Sequence, residues 1–128
     1  MKPIVKDWIE KAEGDFATAQ REMRARKNPN HDAACFHAQQ CVEKYMKALL
    51  QQANVAFGKT HDLISLLDLL LETKPLWEEY RPLLRALNAF AVHFRYPGES
   101  ADKAMATQAF KYCRMIRLRM REYLNIKS

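Results

Sequence analysis

From Asn30 to Ala53 the chain runs without a glycine or a proline, and apolar residues return along it every three or four positions. That spacing is the period of an α-helix. Nowhere do apolar and polar residues alternate with the period of two that a half-buried strand needs, so the fold is expected to be all-α. The same reading extends outward from this segment. Ile4, Trp8, Ala12, Phe16, Ala19 and Met23 predict an amphipathic helix over about residues 4 to 26, opened by Pro3 and closed by Lys27-Asn28-Pro29-Asn30. Ala34, Ala38, Cys41, Val42, Tyr45, Leu49 and Leu50 give the second helix a broad apolar face. After a short connection through Gly58, with Thr60 as N-cap, leucines at 63, 66, 67, 70 and 71 predict a third helix bounded by Pro75. Pro75 to Arg81 reads as a short helical piece. Leu83, Leu87, Phe90, Ala91 and Phe94 form a further long stripe that stops at Tyr96-Pro97-Gly98, and the last helix begins near Ser100 to Lys103. The expected architecture is an up-and-down antiparallel bundle of four long helices plus one short helix, forming one domain over residues 1–128.

A chain of this length can bury enough surface to fold without disulfides or a structural metal. Its three cysteines are odd in number, no apolar signal segment opens it, and no apolar run approaches the ~20 residues of a membrane span. The expected setting is therefore the cytoplasm, with free thiols and no membrane. The net charge of +6 lies entirely at one end: residues 103–128 carry seven Lys/Arg against Glu122 alone, while the 14 basic and 14 acidic residues before them cancel. Such a basic element serves either as a solvated helix face or as a surface that draws an anion such as RNA.

Three places carry residues able to do chemistry. Cys35, His37 and Cys41 share the second helix, but no second pair with ligand spacing completes a metal site, and the cysteines read as small core hydrophobes. There is no phosphate-cradling glycine loop, nucleophile elbow or zincin motif, so neither a cofactor nor a metal is expected. What remains begins with a polar stripe on helix 2, where His37, Gln40, Lys44, Lys47 and Gln51 follow spacings of three, four, three and four. It is either a solvated face or a ligand-binding one, with Lys44 and Lys47 as point cations and His37 and Gln40 as hydrogen-bonding partners. Thr60-His61-Asp62-Leu63 reads as a helix start, or as a histidine base oriented by Asp62. At the end of the fourth stripe, Arg95 can grip a phosphate in bidentate fashion and Tyr96 can stack on a base or anchor the turn before Pro97.

Taken together, these motifs resemble a known signature. Cys35-Phe36-His37-Ala38-Gln39-Gln40-Cys41-Val42-Glu43-Lys44, then Lys59-Thr60-His61-Asp62-Leu63, then Arg95-Tyr96-Pro97, resemble in order and spacing the HEPN domain family. Lys11-Ala12-Glu13-Gly14-Asp15-Phe16-Ala17-Thr18-Ala19 is similar to its first-helix motif. The resemblance implies a helical bundle, usually a homodimer, that accompanies a minimal nucleotidyltransferase and binds a nucleotide or the transferase's substrate. It makes His37, Gln40, Lys44, Lys47, His61, Arg95 and Tyr96 the candidate ligand-binding residues. Another branch of the family comprises toxin ribonucleases, whose active site is an Arg, four to six residues, then a His near the end of the third long helix. The equivalent stretch here sets seven residues between Arg85 and His93, and the order His93-x-Arg95 reverses the motif. Arg24 and Arg26 stand at the family spacing from His31, but across the first turn, where the family has no active site. Arg85, His93 and Arg95 are thus the catalytic candidates only of an alternative ribonuclease reading. A third reading is an RNA-binding or protein-interaction bundle using the basic last helix.

Overall fold

The structure, a computed structural model, describes residues 1–93 and 96–127. Among them there are five α-helices, a 3-10 helix and no strand: α1 (Pro3–Arg24), α2 (His31–Gln52), α3 (Leu63–Leu70), the 3-10 helix Pro75–Tyr80, α4 (Arg81–His93) and α5 (Lys103–Tyr123). The all-α expectation holds, and each boundary has a local cause. Pro3 lies in the first turn of α1, where the missing N–H costs nothing. The turn that follows α1 carries Asn28 at φ +49° and then Pro29, neither compatible with a continuing helix. Asn30 then caps α2 by accepting the Ala33 N–H at 2.9 Å, while its own N–H donates to Glu22 at 2.8 Å.

Two details differ from the sequence reading. The leucine stripe does not reach Pro75 as a helix, because α3 stops at Leu70 after eight residues. Lys74, the residue before proline, is pushed to φ −136° and ψ 69°, and the Thr73 and Lys74 N–H groups fold back onto the Leu70 carbonyl. The cap of α3 is Asp62 rather than Thr60: its carboxylate, the stronger acceptor, takes the Ile64 N–H at 2.9 Å, and Thr60 in turn accepts from the Asp62 N–H.

Helix α2 is the centre of the bundle. Fourteen of its 22 residues are buried, and it packs against every other α-helix. α1 runs antiparallel to it, since the Lys2 ammonium reaches the Gln51 carbonyl at one end and Glu22 meets Asn30 at the other. α5 runs beside it in its own direction, with the Ala101 N–H on Asp32 and Arg121 on the Tyr45 hydroxyl. Leu66, Leu67 and Leu70 of α3, Leu84 and Leu87 of α4, and Cys113, Ile116 and Met120 of α5 fill the space around it, together with Trp77. A helix so enclosed has little surface left, and its polar residues are forced into contact with neighbours.

Candidate functional site

The stripe on α2 is a seam between packed elements rather than a solvated face. Gln40 and Lys47 are buried, and His37 and Lys44 are half-buried. Asp15 of α1, only 8% exposed, receives the His37 Nδ1 at 2.7 Å on one oxygen and the Lys44 Nζ at 2.5 Å on the other. One turn further along, Glu43, 2% exposed, accepts from Lys47 Nζ at 3.1 Å, from Gln40 Nε2 at 3.2 Å and from His61 Nδ1 at 3.0 Å. Gln39 fixes this arrangement: its Oε1 accepts from Gln40 at 2.8 Å and its Nε2 donates to the His61 carbonyl at 2.8 Å. The Lys47 ammonium also lies 5.4 Å from the Trp8 ring centre and 6.0 Å from that of Phe57, a cation held by two aromatic walls.

His61 is where the seam meets solvent. Its side chain is 74% exposed while the carboxylate it touches is enclosed. A carboxylate only accepts, so the ring carries a proton on the Nδ1 that meets Glu43. The orienting acid is Glu43, from another helix, and not the adjacent Asp62. Asp62 is occupied by the α3 cap, by the Ser65 hydroxyl at 2.9 Å and by the Asn88 amide at 2.7 Å. Burial raises the Asp62 carboxyl, but the hydrogen bonds from Ile64, Ser65 and Asn88 outweigh it and hold the group below the ordinary aspartate value.

Five of the sequence candidates, His37, Gln40, Lys44, Lys47 and His61, therefore belong to one connected region of α2 and the α3 start. Tyr96 stands apart on the turn beyond α4 and is largely exposed. Arg95 lies outside the described residues, as does the side chain of His93, and Arg85 is exposed on α4. The carboxylates that organise the seam, Asp15 and Glu43, were not among the candidates. Asp15 does carry a signal in the sequence, since it falls within the apolar spacing Ala12, Phe16, Ala19 of α1, where a carboxylate needs a partner to be tolerated.

The basic last helix is less available than its composition suggests. Arg117 turns inward to Glu13 with bonds of 2.7 and 2.6 Å, and Arg121 reaches the Tyr45 hydroxyl at 2.8 Å and Glu13 at 3.5 Å. Burial raises the Glu13 carboxyl, yet hydrogen bonds from Arg117 and Tyr45 and the two guanidinium charges hold it below its usual value. Arg119 binds the Tyr80 hydroxyl and Glu122. The three cysteines are all buried, and burial above all pushes the Cys35 thiol up to about 12 and that of Cys41 well above its usual value. Among the described residues no group of three or more His, Cys, Asp or Glu is placed to hold a metal, and no helix is long and apolar enough to cross a membrane.

Comparison with known proteins agrees with this architecture. The HEPN domain model matches residues 5–123. The crystal structure of ST0689, an archaeal HEPN homologue, superposes with a TM-score of 0.66 at 21% identity, covering 96% of this chain and 98% of that one. No curated protein matches the sequence.

Proposed function

Because this chain belongs to the HEPN domain family, we propose that it is a binding module without catalysis of its own. It holds a nucleotide or nucleotide-bearing substrate, works as a homodimer and serves a separately encoded minimal nucleotidyltransferase. The observation that carries this reading is the exposed His61 ring seated on the enclosed Glu43. A buried ion pair such as Glu43–Lys47 adds little net stability relative to apolar packing, so a chain that keeps one beneath an exposed imidazole has placed it where binding can use it.

The seam divides the roles. Lys47 and Gln40 hold the Glu43 carboxylate in position, and Glu43 fixes the His61 ring. His37 and Lys44, half-exposed on Asp15, offer donors at the surface. Tyr96, exposed on the turn beyond α4, offers a ring, and Arg95 is the guanidinium added from the sequence. A phosphate entering here shares Lys44 with Asp15 rather than finding a bare cation, which favours a directed contact over a general polyanion track.

The test is a calorimetric titration of the intact protein with nucleoside triphosphates. Lys44→Ala and Arg95→Ala should each cost about 1–3 kcal/mol of binding, the value of a charge-assisted hydrogen bond. Single-stranded RNA incubated with the protein should stay intact. Arg85 and His93 of one chain are eight residues apart on α4, about 12 Å of helical rise, too far to share one phosphate unless a dimer partner supplies the other group. The order and spacing of the ribonuclease motif are also not present in this stretch of the sequence. Cleavage that His93→Ala abolishes, or absence of any nucleotide binding, would defeat the proposal.

A further inference from the structure

In the seam each lysine of α2 has a carboxylate: Lys44 has Asp15 and Lys47 has Glu43. Around the turn between α1 and α2 the cations have no such ion pair. A cavity of about 390 Å³ lies there, lined by Arg26, His31 and Lys103 together with Met23, Pro29 and Glu22. It adjoins a second hollow of about 360 Å³ through Pro29 and His31, and one of about 500 Å³ along α1 that carries Arg21 and Arg24. Among the described residues, Arg21, Arg24, Arg26, His31 and the Lys103 ammonium form no ion pair and no side-chain hydrogen bond.

The nearby acids are already committed to backbone groups. Glu22 takes the Asn30 N–H at 2.8 Å, Asp32 the Ala101 N–H at 2.6 Å, and Asp102 the Met105 N–H at 2.8 Å. Two of these bonds fasten the turns that form the hollow, so the acids hold its shape; they keep their charge, but none of them forms an ion pair with Arg26 or Lys103. Since Asn30 and Asp102 also cap α2 and α5, the positive character of this region comes from side chains and not from open helix ends. A concave surface lined by unpaired cations focuses their field and gathers a multiply charged anion. The volume is at the lower end of those that take small molecules, large enough for a phosphate chain and its immediate attachment.

We infer that this cavity is a binding site for an oligophosphate group, either free or as the phosphate tail of a nucleotide, held by Arg26, Lys103 and His31. It is separate from the seam: His31 opens α2, and His37 lies six residues further on, about 9 Å along the helix. The inference goes beyond the proposed function and stands or falls independently of it.

Calorimetry on the intact chain with tripolyphosphate, ATP and adenosine tests it. Tripolyphosphate and ATP should bind and adenosine should not, with affinity falling as salt is raised from low to physiological concentration. Arg26→Gln/Lys103→Gln should weaken tripolyphosphate at least tenfold, and both positions are exposed, so folding is not at risk. Lys6→Gln/Lys11→Gln removes equal charge from exposed positions elsewhere on α1 and should leave tripolyphosphate affinity within twofold. Equal losses in both double variants would reduce the effect to net charge and overturn the site, as would silence with tripolyphosphate. If ATP binds through His61 while tripolyphosphate does not bind, the cavity fails and the seam stands. If ATP binds no better than tripolyphosphate and ignores His61→Gln, the cavity stands and the seam fails.

Discussion

Glu43 is the residue on which the seam depends. It accepts from Lys47, Gln40 and His61 while almost wholly enclosed, so replacing it by alanine strands the Lys47 ammonium between Trp8 and Phe57 with no counter-charge. Glu43→Ala should cost roughly 3–5 kcal/mol of unfolding free energy, and Glu43→Leu combined with Lys47→Met should recover most of it. Urea denaturation of the three proteins measures both. The depressed carboxyls give a second expectation. Asp62 and Glu13 both have folded values below their unfolded ones, so their contribution is present above the ordinary carboxylate range and is lost as pH falls through the folded values. Thermal stability should therefore decline in acid, and Asp62→Asn should flatten part of that decline. At this scale the sequence showed which residues were polar and aligned, but not their partners. Lys44 looks like a free cation in the chain because Asp15, the acid that neutralises it, is 29 residues away. Glu43 stands at the i,i+4 spacing from Lys47, a pairing signal the polar stripe did not include.

The helices themselves were largely legible. Period and proline placement located α1, α2, α4 and α5 to within a few residues, because each is long enough for its stripe to repeat several times. Helix α3 was overextended, since leucine spacing continues to Leu71 while the backbone must already be preparing for Pro75. The cap was misassigned for a related reason: Thr60 and Asp62 are both good caps, and only the Asn88 amide and the buried Leu63 show which one closes the helix. Asp62→Ala should accordingly cost about 1–2 kcal/mol and Thr60→Ala clearly less, as read from equilibrium unfolding. On α5, composition overstated the free charge. Arg117→Ala should destabilise the protein by about 1.5–3 kcal/mol by removing two bonds to Glu13, whereas Lys111→Ala and Arg114→Ala, on the exposed face, should stay within about 0.5 kcal/mol.

At the scale of the whole molecule, the bundle follows from the stripes, but its order of packing does not. Nothing in the sequence singles out α2 as the helix touched by all the others, although its run from Asn30 to Ala53 without a breaker is what lets it fill that position. Its central place turns a polar stripe into an enclosed seam and leaves His61 as the exposed end of a buried network. The seam it creates is charge-paired, while the cations around the α1–α2 turn form no ion pair. A ligand that binds only the folded chain raises its melting temperature with concentration. The most direct measurement is the melting temperature of the intact protein and of His61→Gln, side by side, across increasing ATP. The account predicts a progressive rise for the intact protein and a clearly smaller one for the variant. No rise, or the same rise in both, would contradict it.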